Sequence, residues 1–125
     1  MKTRYTVALS MLAGVALGAG AIQGLHAQAK KAYLISLSDI ADRTAIEAYN
    51  TKVREELTKA GGNVIILGGD RIIALTGTAP QRIGLTEFAS VEKAQAWFAS
   101  AERKALAPQR EKATKIDKLL IVEGN

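Results

Sequence analysis

NVIILGGDRIIALTG, Asn63 to Gly77, is the stretch on which the fold turns. Laid out as one flat strand, Asn63 to Thr76 would run about 46 Å, well past the length of an ordinary strand. Gly68-Gly69-Asp70 must therefore turn it or bend it. A tight hairpin at Gly69 is one solution, and a glycine bulge within a long strand is the other. Better hairpin chemistry lies further on, in TGTAPQ before Arg82, where Gly77 and Pro80 supply turn residues. That favours the bulge, with the long strand overhanging its shorter partner, Arg82 to Phe88. An exposed overhang of this kind tends to be paired with another chain.

IGLTEFAS, Ile83 to Ser90, sets Ile83, Leu85 and Glu87 on one side and Gly84, Thr86 and Phe88 on the other. Ser90 is placed to cap a helix whose inner face is Val91, Ala94, Phe98 and Ala101, with Trp97 at its edge. Ser100 can cap a second short helix, AERKAL, which Pro108 breaks or restarts before QREKATK. KLLIVEG, Lys118 to Gly124, is the closing strand. Upstream, AYLISLS, Ala32 to Ser38, alternates as a half-buried strand does. DRTAIEAYNTKVREELTKAGG then repeats Ile46, Tyr49, Val53 and Leu57 at helical spacing. Thr44 with Glu47 fits a capping box, and Gly61-Gly62 ends the helix.

The order strand, helix, two strands, helix, strand predicts an α+β fold. Helices over one face of an antiparallel sheet give a ferredoxin-like βαββαβ sandwich. The other sheet face is also apolar, through Leu34, Leu67 and Ile121 on one setting of the pleat. A homodimer through that open face is the simplest way to cover it.

The chain has 125 residues, enough for one domain. Its N-terminus carries Lys2 and Arg4, then an uncharged apolar run from about Val7 to Ile22, then Ala27-Gln28-Ala29. Basic start, apolar middle and A-x-A site make a secretory signal peptide. Residues 1–29 are thus expected to be removed after Ala29, leaving a periplasmic or secreted domain over residues 30–125. The Gly- and Ala-rich run is a poor permanent span, so no stable membrane span is expected after cleavage; an uncleaved anchor is the alternative.

The formal charge of +5 includes Lys2 and Arg4, and the remaining cations in LTKAGG, VEKAQ and SAERKAL stand among acids. That is the pattern of a solvated surface, and nucleic acid is not expected as a partner. The chain has no cysteine, and its one histidine, His26, lies in the leader. A mature domain without either has no thiol chemistry, no serine–histidine catalysis, no histidine-ligated haem and no ordinary zinc or copper site. No metal and no cofactor are expected. Asp39 and Asp42 lack a full ligand loop for a hard cation, and helix capping accounts for Asp42 more simply.

Glu87 is the candidate reactive group, since it projects toward whatever Ile83 and Leu85 touch. A carboxylate among apolar side chains calls for a cation beside it, and Arg110 and Arg71 are the candidates. Glu87 is then either a base or ligand-holding group at a pocket mouth, or a salt bridge tying the strand end to a helix or second subunit. Tyr49, Trp97 and Phe98 either line a cavity between helices and sheet or fill the core. Tyr49, Trp97 and Arg110 are the candidate ligand contacts.

AGGNVIILGGDRIIALTG, RIGLTEFASVEKAQAWFAS, AERKALAPQR and the closing LLIVEG together resemble the domain-of-unknown-function family 1330, over Lys31 to Asn125. The resemblance implies a ferredoxin-like fold within the dimeric α/β-barrel superfamily. Where members commonly run Ser-Pro-Glu-Tyr after the tryptophan, this chain has Ser100-Ala101-Glu102-Arg103. The resemblance implies no reaction and no catalytic residues. The residues leave two functional classes: a cofactor-free enzyme acting on a small apolar organic molecule through Glu87 or a tyrosine, or a non-catalytic small-ligand-binding or stress-related envelope protein. Beneath both lies a dimer whose cavity is simply filled.

Overall fold

Asp42 opens the first helix, α1 (Arg43–Lys59): its carboxylate accepts from the amides of Thr44 at 2.9 Å and Ala45 at 3.1 Å. These are amide groups that a helix start leaves without intrahelical partners. The expected Thr44/Glu47 capping box is therefore replaced by an aspartate cap two residues earlier. Ile46, Tyr49, Val53 and Leu57 are all buried on one stripe of α1, as their spacing predicts. The helix ends at Ala60, and Gly61 takes a φ of +88°, a left-handed turn that suits glycine.

The computed structural model describes residues 30–125, so the expected leader and cleavage after Ala29 lie outside the described residues. Strand β1 (Ala32–Ile40) precedes α1, and β2 (Asn63–Gly68) follows it. Next come β3 (Arg82–Phe88), α2 (Val91–Ala99), α3 (Ala101–Ala113) and β4 (Thr114–Glu123). The sheet runs β2-β3-β1-β4 with every neighbouring pair antiparallel. This is the ferredoxin-like order, with the helices over one face.

The glycine pair acts differently from the expectation. β2 ends at Gly68, and φ values of +127° at Gly68 and +132° at Gly69 take the backbone out of the extended region. Arg71 to Thr76 consequently form no strand, and there is neither a long bent strand nor a tight hairpin at Gly69. The register shift in β2 lies at Ile65 instead, between Val64 and Ile66. Gly77 does turn, with a φ of +68°.

The second crossover also differs. Ser100, in extended conformation, caps the end of α2 and the start of α3, where its hydroxyl accepts from the Arg103 amide at 3.2 Å. Pro108 neither breaks nor restarts α3, which runs through it to Ala113. Pro108 stands on the exposed side of α3, while the helix lies along α1 and ends on the fully buried Ala113 of the core. In α2 the inward residues are Ala94 and Trp97, whereas Phe98 is 39% exposed, so Trp97 and Phe98 exchange their expected places.

Strand pleat decides what faces the helices. Arg82, Gly84, Thr86 and Phe88 of β3 are buried on that side, with Phe88 only 1% exposed. Leu34, Leu67 and Ile121 pack against the same core, so they belong to the covered face and not to the open one. The open face carries Tyr33, Ile35 and Leu37 of β1, Ile83, Leu85 and Glu87 of β3, Ile66 of β2, and Leu120 and Val122 of β4. Ile66, Leu85, Ile35 and Leu120 are successive register partners, forming one apolar row across all four strands. Ile66, Leu120 and Val122 are exposed in the single chain.

Candidate functional site

Between helices and sheet lies a cavity of about 60 Å³. Its floor is formed by Leu34 and Ser36 of β1, Leu67 of β2, Gly84 and Thr86 of β3, and Ile116 and Leu119 of β4. Tyr49, Val53 and Leu57 of α1 and Trp97 and Phe98 of α2 wall it, and Arg82, Arg103 and Arg110 bring cations to it. Glycine at position 84 keeps this space open. A Cβ there would stand 2.5 Å from the Ser36 hydroxyl, closer than side-chain atoms approach.

Arg82 dominates the electrostatics. The residue is 4% exposed, and its Nε and Nη2 donate to Asn50 Oδ1 at 3.1 and 2.8 Å. Its guanidinium lies 5.5 Å from the Tyr49 ring centroid. Burial works against its charged form, but a guanidinium does not release its proton in the accessible pH range. The charge therefore stays, held by an amide oxygen and a ring face in place of a carboxylate. Burial raises the Tyr49 phenol above its ordinary pKa, although Arg82, Arg110 and Arg103 each pull it back down. Tyr49 is thus a neutral hydroxyl among three cations. Arg103 lies 4.0 Å from the Phe98 ring centroid and donates through Nε to the Phe98 carbonyl at 2.7 Å.

Of the candidate residues, Tyr49, Trp97 and Arg110 come together in this cavity. Glu87 does not line it. Glu87 projects from the opposite sheet face, where it accepts from Lys31 Nζ at 3.3 Å and from the Tyr33 hydroxyl at 3.2 Å. Its partners are therefore Lys31 and Tyr33, not Arg110 or Arg71. The register accounts for the Tyr33 contact: Tyr33 sits directly across from Glu87 on β1. Asp42 caps α1, and Asp39 accepts from the Gln81 amide at 3.3 Å. Among the described residues, no group of three or more His, Cys, Asp or Glu could hold a metal ion.

Sequence reasoning missed Arg82 and Arg103. Arg82 shares strand parity with Gly84, Thr86 and Phe88, the side opposite Glu87, and that parity was the available signal. Arg103 stands three residues after the Ser100 cap, and its one signal was that it takes the place of the tyrosine in the Ser-Pro-Glu-Tyr run.

Solved structures share this architecture at low sequence identity. A protein of unknown function from Rhodopseudomonas palustris superposes with a TM-score of 0.62 at 16% identity, covering 77% of this chain and 83% of that one. A dimeric protein of unknown function and ferredoxin-like fold from Bacteroides fragilis gives 0.55 at 11% identity, with 75% and 96% covered. A dimeric ferredoxin-like protein of unknown function from Thermobifida fusca gives 0.52 at 10%, with 78% and 92% covered. No curated protein matches the sequence. The family model described as Domain of unknown function (DUF1330) matches residues 31–125, which is the whole of the βαββαβ unit, and the chain belongs to that family.

Proposed function

We propose that this protein is an exported homodimer that binds a small organic molecule in the cavity between its helices and its sheet. The observation that carries the reading is the cavity itself: polar groups from α1, β3 and α3 converge on an otherwise apolar space that Gly84 keeps unfilled. Binding is favoured over turnover because Glu87, the carboxylate best suited to proton transfer, projects from the other face. Tyr49 is the one tyrosine in the cavity wall, and its burial holds it in the protonated form. A cofactor-free enzyme would have to work through that phenol alone.

The homodimer is supported by the exposed apolar row on the open sheet face and by the dimeric state of the Bacteroides fragilis and Thermobifida fusca relatives. Export is supported by Lys2, Arg4, the apolar run and Ala27-Gln28-Ala29, and N-terminal sequencing of protein from the cell envelope is expected to begin at Lys30. No helix among the described residues is long and apolar enough to cross a membrane.

Trp97 provides the test. It is the only tryptophan in the chain and it lines the cavity, so occupancy is read as a change in intrinsic fluorescence. Titration with a panel of small organic molecules is expected to give saturable quenching or a spectral shift. Glu87→Gln is expected to keep that response. A panel that moves neither Trp97 emission nor the melting temperature removes the binding reading.

A further inference from the structure

Three guanidiniums share the wall of one small cavity, and none forms an ion pair among the described residues. The four ion pairs there all use lysine: Lys31–Glu87, Lys59 with Glu55 and with Glu56, and Lys118–Asp117. Arg82 is the telling member, being 4% exposed with one amide oxygen as its hydrogen-bond partner. A neutral acceptor and a ring face orient a guanidinium, but they do not cancel its charge, and a buried cation without a counter-charge is costly. Arg103 and Arg110 add positive charge from α3, and both are only partly exposed. The remaining wall is aliphatic and aromatic, with Leu34, Leu67 and Trp97 facing the same space. No acidic residue lines it.

We propose that the ligand is a small organic monoanion: a carboxylate that supplies the missing counter-charge to Arg82, flanked by Arg103 and Arg110, on a compact apolar body lying against Leu34, Leu67 and Trp97. Planar guanidinium matches a carboxylate in geometry and charge, whereas the apolar wall rejects a ligand that is polar all round. A volume near 60 Å³ restricts the body to a few carbon atoms unless side chains move. This class rests on the small-molecule reading above and narrows it to one charge type.

The test compares matched probes on the purified full chain by calorimetry and Trp97 fluorescence: isobutyrate, isovalerate and benzoate against isobutyramide, isovaleramide and benzamide, with inorganic phosphate alongside. Each carboxylate is expected to bind at least about tenfold more tightly than its amide. Arg82→Met is expected to reduce that preference to within about twofold. If that variant does not fold, Arg103→Gln and Arg110→Gln carry the test: each is expected to weaken the carboxylate about threefold and leave the amide unchanged. Amides binding as well as carboxylates would overturn the anion class and leave the small-molecule reading standing. Tighter binding of phosphate would overturn the carboxylate assignment. Carboxylate affinity indifferent to all the arginine substitutions would overturn the placement of the site, and no binding by any probe would overturn both readings.

Discussion

Arg82 and Tyr49 show how much one strand residue and one helix residue decide together. The phenol's pKa is raised from 10.0, so Tyr49 adds stability that is fully present below pH 10 and is lost as pH climbs through its higher folded value. Urea midpoints measured from about pH 8 to pH 11 should therefore fall more steeply for the natural chain than for Tyr49→Phe, with the divergence starting near the ordinary tyrosine value. Equal slopes would mean that Tyr49 does not carry this shift. Gly84 makes a second, sharper case. Its absent side chain accommodates the Ser36 hydroxyl, which would lie 2.5 Å from a new Cβ. Gly84→Ala should cost about 1–3 kcal/mol by overpacking, and Ser36→Ala in the same molecule should recover most of that loss. Denaturant titrations of the four members of the cycle measure the coupling, and strictly additive costs would show that the two positions do not meet. Neither relation is visible in sequence, where a glycine in a strand reads as a weak position. Its closeness to Ser36 emerges only after β1 and β3 are set in register.

Helices were more legible than the strands' orientation, and the reason is geometric. A helical stripe such as Ile46, Tyr49, Val53 and Leu57 names its own buried side, and all four are buried. A strand's alternation divides residues into two sets without saying which set faces the helices, and a slip of one residue exchanges them. Leu34, Leu67 and Ile121 were assigned to the wrong face for that reason, and register shifts at Ile65 in β2 and between Leu37 and Ser38 in β1 add to the ambiguity. The caps at Ser90 and Ser100 stand where the sequence put them, and at α1 the cap is Asp42 in place of the Thr44/Glu47 box. Asp42→Ala should destabilise α1 by about 1 kcal/mol, whereas Thr44→Ala should change little, because the capping carboxylate and not the threonine hydroxyl accepts the free amides. Circular dichroism melts of the two variants separate the alternatives, and a larger loss for Thr44→Ala would restore the capping box. Pro108 carries the opposite sign. Inside α3 it withholds one backbone donor, so Pro108→Ala should stabilise the fold by up to about 3 kcal/mol, read from urea unfolding. No gain would show that the helix has already adapted its backbone around the ring.

At the scale of the whole molecule, a four-stranded sheet has two faces and only one set of helices. The covered face is settled by Phe88, Trp97 and the α1 stripe, all of them buried. The other presents Ile66, Leu85, Ile35 and Leu120 in a line running from one sheet edge to the other. Such a row is continuous, so it differs from the scattered single apolar residues that any soluble protein exposes. Glu87 lies on this face too, held by Tyr33 and Lys31. A second copy laid sheet against sheet would enclose that group, giving the carboxylate a place in the assembly even though it has none in the cavity. Sedimentation at micromolar concentration should accordingly report a dimer. Leu120→Glu sets a charge in the apolar row of an edge strand, at a position 44% exposed in the single chain, so it should leave the monomer's own fold intact and dissociate the pair. Lys104→Glu, exposed on α3, sets a carboxylate on the opposite side, with a larger change of charge, and should leave the dimer unaltered. A stable monomer of the natural chain, or a Leu120→Glu variant as dimeric as its parent, would show that the open face is covered by some means other than a second copy.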